Sequence, residues 1–450
     1  MLPFAAVFLD FNLPNATTWF YFSLMMAVGL FFKFNRFFSI RNWDVLSLYL
    51  LVPGFLFLQE AERLQRNAGN PDTTHNLQLY GYIWLMAGSV CFLTRCLLDL
   101  TLVRRPALWP NLNLPGLAWF SGAMFICMVP VAIRMPPELQ MPGGNTTAGM
   151  KILSEGSSQT VEGVQSLTGN EARNAALTRF WVERLLALAC HLAVGTALVL
   201  IGAMHFQSTT SGMAAATLYL LLPYTAYEVG QAHHVVPTAL LLWALYCYRR
   251  PGLSGILLGV AAGTFFFPAL TLPIWVNFYR NRGARRFLCF FLISAGLSLG
   301  LTGLVLWWDG QFARSMQLLI KMPEWQSWKM TGQSNSIWSG IHGAYRLPVF
   351  VLYLAFVILT GFWPAPKNLA HLISLSAAVL IGIQFWYADQ GGVYVLWYLP
   401  LLVLMIFRPN LSDRFPPPPK PLPNWPFRLL RRLYKGIMRQ IEPPAPATKV

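Results

Sequence analysis

The stretch PGLSGILLGVAAGTFFFPALTLPIWVNFYR, residues 251–280, follows Arg249-Arg250 and runs into Arg280, Arg282, Arg285 and Arg286. It is almost wholly apolar before the second arginines, and it carries Pro268 and Pro273. An α-helix needs about 20 apolar residues to cross the ~30 Å hydrocarbon layer of a bilayer, so there is room for one crossing and not for two. Lys and Arg collect on the cytoplasmic side of membrane proteins, and a single crossing would put one arginine cluster on the wrong side. Two helix-breaking prolines offer another arrangement, a pair of short broken helices that enters the layer and returns. Non-helical backbone is tolerated at that depth only where protein or a water-filled cavity covers it. An enclosed cavity beside this segment is therefore the functional expectation, and an ordinary span with a proline kink is the plain alternative.

The composition around the stretch agrees with a membrane setting. Apolar residues make up 55% of the 450, and charged residues only 11%, where soluble domains carry about 25% charge. Runs such as Phe287 to Trp308, Leu185 to Ala203 and Leu369 to Tyr387 are long enough to span. The formal net charge of +16 follows the ends of these runs and has no soluble domain to sit on, which excludes a nucleic-acid footprint. Cys91, Cys96, Cys127, Cys190, Cys247 and Cys289 fall in or beside apolar runs without metal-site spacing; they read as small buried hydrophobes and not as disulfides or ligands. No basic segment precedes the first apolar stretch, so no cleaved leader is expected.

The pattern predicts an all-α polytopic transmembrane bundle of about eleven full spans plus the broken re-entrant pair. The spans are 17–33, 43–59, 79–98, 115–133, 181–203, 211–227, 235–247, 287–308, 347–364, 369–387 and 393–407. With this threading, one side holds 22 of the 33 Lys and Arg against 4 of the 17 acids. That side is expected to be cytoplasmic, the C-terminus with it, in a multi-pass protein of the inner or plasma membrane. The transmembrane domain covers 1–407, with extracytoplasmic loops 60–78, 134–180 and 309–346. Residues 408–426, with Pro416–Pro419, read as a proline-rich linker. Residues 427–450 follow as a tail in which Phe427, Leu430, Tyr434, Ile437 and Ile441 oppose Arg428, Arg431, Arg432, Lys435 and Arg439. Such a helix lies on an anionic leaflet, so membrane lipids are an expected partner.

No soluble catalytic motif and no metal-ligand spacing is present, which moves attention to polar groups at the outer ends of spans. Tyr227-Glu228-Val229-Gly230-Gln231-Ala232-His233-His234 puts a carboxylate, an amide and two imidazoles in one tight outer turn. These groups suit a polar ligand, and a solvated turn is the plain alternative. In 309–346, Trp325, Trp328 and Trp338 alternate with Arg314, Lys321, Lys329 and Arg346, which fits sugar faces and anionic head groups as well as an interfacial aromatic belt.

Residues 219–273 (YLLLPYTAYEVGQAHHVVPTALLLWALYCYRRPGLSGILLGVAAGTFFFPALTLP) resemble the polyprenol-phosphate-mannose-dependent mannosyltransferases of the glycosyltransferase C superfamily. The likeness rests on Gly230-Gln231, Arg249-Arg250-Pro251, Gly255, Gly259 and Pro268, with a second echo in Gly332-Gln333-Ser334-Asn335-Ser336 through to Arg346. The family's lysine shortly before the proline is absent, the local sequence being Thr264-Phe265-Phe266-Phe267-Pro268, and Tyr387 to Gly392 replaces its usual histidine region. The resemblance implies an enzyme that moves a sugar, mannose being the first candidate, from a polyprenyl-phosphate donor to a glycan or lipid acceptor. The lipid-linked donor is the cosubstrate, with no further cofactor. It also implies a carboxylate base in the first large outer loop, with Glu60 the first choice, Asp72 the second, and Glu62 and Asp10 also open. Glu228, Gln231, His233, His234, Gln333, Ser334, Asn335 and Arg346 would bind substrate. A transporter, or a catalytically inactive scaffold of the same fold, is the alternative.

Overall fold

The computed structural model describes residues 16–66, 70–101, 108–133, 169–308, 336–338, 341–387 and 391–418. Residues 1–416 form one unit; of the second, 417–450, only 417 and 418 are described, so the basic tail lies outside the described residues, as do Gln333, Ser334, Asn335 and Asp10.

Every regular element among the described residues is helical. In chain order they are α1 (Ala16–Phe31), α2 (Ile40–Ser47), α3 (Val52–Arg66), α4 (Pro71–Leu98), α5 (Leu114–Ala132) and α6 (Gly169–Met204). There follow α7 (Thr209–Leu221), α8 (Pro223–Tyr227), α9 (Ala232–Tyr246), α10 (Pro251–Thr264), α11 (Leu272–Phe278) and α12 (Ala284–Trp308). The last three are α13 (Arg346–Phe362), α14 (Leu369–Trp386) and α15 (Leu399–Phe407). Seven stretches are long and apolar enough to cross a membrane: Ile40–Gln65, Pro71–Leu98, Leu114–Ala132, Phe180–Met204, Ala284–Leu304, Gly343–Phe362 and Leu369–Trp386. Shorter apolar helices cover Thr17–Phe31, Ala232–Tyr246, Pro251–Thr264 and Phe267–Phe278. The chain is thus a membrane protein by the length and composition of its helices. The connection expected over 60–78 is helical on both sides of residues 67–69, and α6 begins at Gly169, inside the expected loop 134–180.

α14 is the central post, with every residue from Leu369 to Gln384 except His371 buried, and all nine residues of α15 are buried beside it. α12 is a peripheral helix that exposes Leu292, Ile293, Leu297, Leu299, Leu301 and Leu304. So large an apolar surface suits lipid and not water. All six cysteines are free.

Residues 251–278 fold out and back. α10 ends where Phe265 turns extended, a 3-10 turn covers Phe267–Thr271, and α11 brings the chain back to Tyr279. The Tyr279 hydroxyl donates to the Tyr248 carbonyl at 2.6 Å and lies 3.2 Å from Ser254 Oγ, which ties the two ends of the excursion together. Gly255, Gly259 and Gly263, spaced by four, face α12. A Cβ on Gly255 would meet the Phe287 carbonyl oxygen, one on Gly259 that of Phe291, and one on Gly263 the Ser298 Cβ at 2.6 Å. This small-residue stripe lets the α10 and α12 backbones touch. Asn277 Nδ2 donates to the Gly361 carbonyl at 2.6 Å and so holds the returning strand of the hairpin on α13.

The basic connections meet at one end of the bundle. Lys33 Nζ donates to Asn111 Oδ1 at 2.6 Å, the His205 ring meets the Tyr248 ring, and Arg282 donates to the Pro416 carbonyl at 2.8 Å. Between them lies a buried chain of charges. Arg95 holds both carboxylate oxygens of Asp44 at 2.6 and 2.8 Å and reaches Asp99 Oδ1 at 3.3 Å. Asp99 Oδ2 accepts from Arg408 Nε at 2.9 Å, Arg408 Nη2 at 2.7 Å and Ser374 Oγ at 2.6 Å. Two acids and two arginines balance, and together they join α2, α4, α14 and the end of α15.

Candidate functional site

The opposite face of the hairpin tip carries the candidate site. Pro223 ends α7 and opens the single turn α8, and Thr225 Oγ1 bonds back to the Tyr219 carbonyl at 2.6 Å. The chain then turns through Glu228 to Gln231, closed by the Gln231 amide on the Glu228 carbonyl at 3.1 Å, and enters α9 at Ala232. Gly230 is needed here because the Arg184 guanidinium of α6 lies where a Cβ would sit. The turn aims Glu228 and His234 inward, 6% and 1% exposed, with His234 Nε2 3.7 Å from Glu228 Oε2.

The second wall is the connection from α14 to α15. Gln384 Oε1 accepts from the backbone amides of Gly392 at 2.8 Å and Tyr394 at 3.3 Å, which folds this connection under the end of α14. Gly392 has φ +93°, and a Cβ there would meet Leu85 Cβ at 2.7 Å. Glycine alone satisfies both conditions. The result is a stack of rings: His234 on Tyr394 at 5.1 Å, Tyr394 on Trp397 at 4.2 Å, and Trp397 on Phe267 at 3.8 Å. Phe267 belongs to the hairpin tip, and its neighbour Phe266 lies 5.5 Å from Tyr387. The tip of the broken pair, the 228–234 turn and the last connection therefore converge.

Four buried polar atoms at this junction make no hydrogen bond within the protein: Glu228 Oε2, His234 Nδ1, Gln384 Nε2 and Trp397 Nε1. Each such group costs about 1–3 kcal/mol if it stays unsatisfied, so four around one residue, Tyr394, call for a polar occupant. Burial, reinforced by the like charge of Glu62 and opposed by Arg184, raises the Glu228 carboxyl to about 8.

The site is recessed. Gly392 lies at the level of Leu85, about 21 Å along α4 from Asp99 at 1.5 Å per residue. α4 continues beyond it to Pro71, and Asp72 is about 20 Å farther out and exposed. Glu60 pairs with Arg63 at 3.4 Å on α3. Of the carboxylates between 60 and 72, Glu62 is the one whose charge acts on Glu228; two residues apart on a helix, Glu60 and Glu62 point to nearly opposite faces. Gln231 and His233 flank the turn, half-buried, while Arg346 is buried at the start of α13. The Trp338 indole donates to the Phe385 carbonyl at 3.0 Å and brings the end of the 309–346 connection to α14.

Sequence reading found Glu228, Gln231, His233 and His234 but passed over Gln384, Tyr394, Trp397, Glu62 and Arg184 as partners. The one signal for the second wall was Gly391-Gly392 in an otherwise apolar stretch. Among the described residues no group of three His, Cys, Asp or Glu could hold a metal ion. Comparison with protein-family models, with curated proteins and with solved structures finds no match.

Proposed function

We propose that this chain is an integral membrane glycosyltransferase of the glycosyltransferase C type, moving a sugar, with mannose the first candidate, from a polyprenyl-phosphate donor to a glycan or lipid acceptor. The observation that carries the reading is the hairpin 251–278. Its two ends are tied by Tyr279 to Tyr248, and its tip packs against a polar, aromatic-walled junction. In this reading the arginine-rich end faces the cytoplasm, the short helices α7, α9 and α15 complete about eleven crossings, and the hairpin is the re-entrant pair. Irregular backbone at that depth is what a covered substrate cavity permits. Transfer forms a bond from the acceptor oxygen to the sugar's anomeric carbon and breaks the bond from that carbon to the donor phosphate oxygen. Polyprenyl phosphate leaves, and the acceptor's hydroxyl proton goes to a carboxylate. Glu60 and Asp72 remain the bases implied by family resemblance, and Glu62 joins them on the charge it exerts at Glu228.

The test is transfer of radiolabelled sugar from polyprenyl-phosphate mannose, and from donors bearing other monosaccharides, into membrane lipids or glycans by the purified, folded protein. Absence of transfer with every donor refutes the reading. A transporter is the second reading, favoured by the buried, protonatable Glu228 beside imidazoles. Proton uptake into proteoliposomes driven by a solute gradient, without sugar transfer, would establish it.

A further inference from the structure

Four unpartnered groups surround Tyr394, and their chemistry restricts what can lie among them. The Trp397 indole N–H is a donor only. Gln384 is fixed in its flip state because its oxygen takes the Gly392 and Tyr394 amides, so its free end is the NH2 donor. His234 Nδ1 can give or take a proton, and Glu228 Oε2 accepts when ionised and donates when protonated. Glu228 is 6% exposed, His234 1%, Trp397 3% and Gln384 fully buried. A phosphate would meet the Glu228 carboxylate with Glu62 behind it, which opposes an anion. A hydrocarbon chain would leave all four unsatisfied. A hydroxylated ring gives and takes hydrogen bonds within a few ångströms, and its C–H face packs on aromatic rings such as Phe266, which stays 41% exposed at the hairpin tip.

We infer that Glu228, His234, Gln384 and Trp397 form the subsite for one uncharged glycosyl ring, with Phe266 at the hairpin tip as its apolar wall. Which molecule carries the ring rests on the transferase reading; the subsite itself rests on the unpartnered atoms. Placed here, the ring lies next to the two elements that the hairpin and the α14–α15 connection hold together, and Trp397 and Gln384 become ring-binding residues without a role in proton transfer.

The experiment measures binding by tryptophan emission and by ligand-induced shift in unfolding temperature. It uses full-length protein in lauryldimethylamine oxide, a detergent without a sugar head group. The probes are polyprenyl phosphate carrying mannose, glucose or N-acetylglucosamine, polyprenyl phosphate alone, and the corresponding free methyl glycosides. At least one sugar-bearing lipid is expected to bind about tenfold or more tightly than the sugar-free lipid, a tenfold step being what one well-made hydrogen bond supplies. Trp397→Phe, which keeps the ring stack and deletes the N–H, is expected to remove about tenfold of that affinity, leave sugar-free lipid binding unchanged and leave the unfolding temperature unchanged or higher. Glu228→Gln serves as a second variant of nearly identical shape. A free glycoside that shows the same loss in both variants, when no sugar-bearing lipid does, supports the subsite and assigns it to the acceptor's ring. The inference is overturned if no sugar-bearing probe outbinds its sugar-free counterpart, or if both variants bind every sugar-bearing probe as the parent does. Variant-sensitive binding without transfer would keep the subsite and refute the transferase. Transfer with KM unchanged in both variants would do the reverse.

Discussion

Replacing Arg408 by Met tests the charge chain at the basic end. The guanidinium makes two hydrogen bonds to Asp99 Oδ2, at 2.9 and 2.7 Å, and one to the Asp99 carbonyl at 3.2 Å. Its side chain is 4% exposed and that of Asp99 is fully buried. Met fills much of the same volume but leaves Asp99 with Ser374 and a 3.3 Å contact to Arg95, whose other hydrogen bonds go to Asp44. Two carboxylates then share one guanidinium in a buried setting. Removing one partner of a buried pair costs about 3–5 kcal/mol, because an uncompensated charge stays behind. Removing both members restores balance, since Arg95 and Asp44 still neutralise each other, and replacement of a buried pair by apolar groups is neutral or stabilising by about 1–4 kcal/mol. Arg408→Met is therefore expected to lose about 3–5 kcal/mol, Asp99→Leu a comparable amount, and the double variant to recover most of the loss. The measurement is a double-mutant cycle of reversible unfolding in mixed micelles, followed by tryptophan emission at low and high salt. The buried pair should show little salt dependence. A single-variant loss below about 1 kcal/mol, or strict additivity in the double variant, would refute the reasoning.

The remaining predictions concern the site and the hairpin. Glu228 is raised from 4.5 to about 8 by burial and Glu62; the folded state then holds a proton that the unfolded state has lost. Stability should fall as pH rises from about 4.5 to about 8 and level off above, by at most several kcal/mol in all. Glu228→Gln should flatten that slope in thermal unfolding followed against pH, and an unchanged slope would contradict the assignment. Gly259→Ala pushes a methyl onto the Phe291 carbonyl and Ser294, and Gly255→Ala onto the Phe287 carbonyl. Each should cost about 1–3 kcal/mol and lower sugar transfer by displacing the hairpin tip, whereas Gly296→Ala, with open space around it, should do neither. Single cysteines replacing Arg249 and Asn281, both exposed, in a cysteine-free background should be labelled from the same side of sealed vesicles; labelling from opposite sides would mean that 251–278 crosses. In transfer assays, Glu62→Gln should cut kcat more than Glu60→Gln or Asp72→Asn, because Glu62 alone acts on Glu228; the reverse order would restore Glu60 or Asp72 as the base.

Family resemblance and physics divide the same residues differently. Gly255 and Gly259 entered as elements of a motif, and the structure gives them a packing reason in the close approach of α10 to α12. Gly230, also part of the motif, makes room for Arg184. Phe265, Phe266 and Phe267, where relatives carry a lysine, form the tip that stacks on Trp397 and Tyr387. An aromatic wall thus stands where a cation was expected.

The helical membrane character and the out-and-back course of 251–278 were legible in the sequence. Both depend on quantities a linear chain carries: apolar run length against bilayer thickness, and the placement of arginines and prolines. The 228–234 turn was legible for the same reason, its polar groups being contiguous. The opposite wall was not. Gln384, Tyr394 and Trp397 lie roughly 150 residues from His234 and look like ordinary residues of an apolar segment. Only the packing of α9 against the α14–α15 connection, with Gly392 pressed to Leu85, makes them a site. The charge chain divides the same way. Arg408 at the end of an apolar run reads as a topology signal, and folding gives it Asp99, a partner that hydropathy cannot indicate because pairing depends on distance in space and not along the chain.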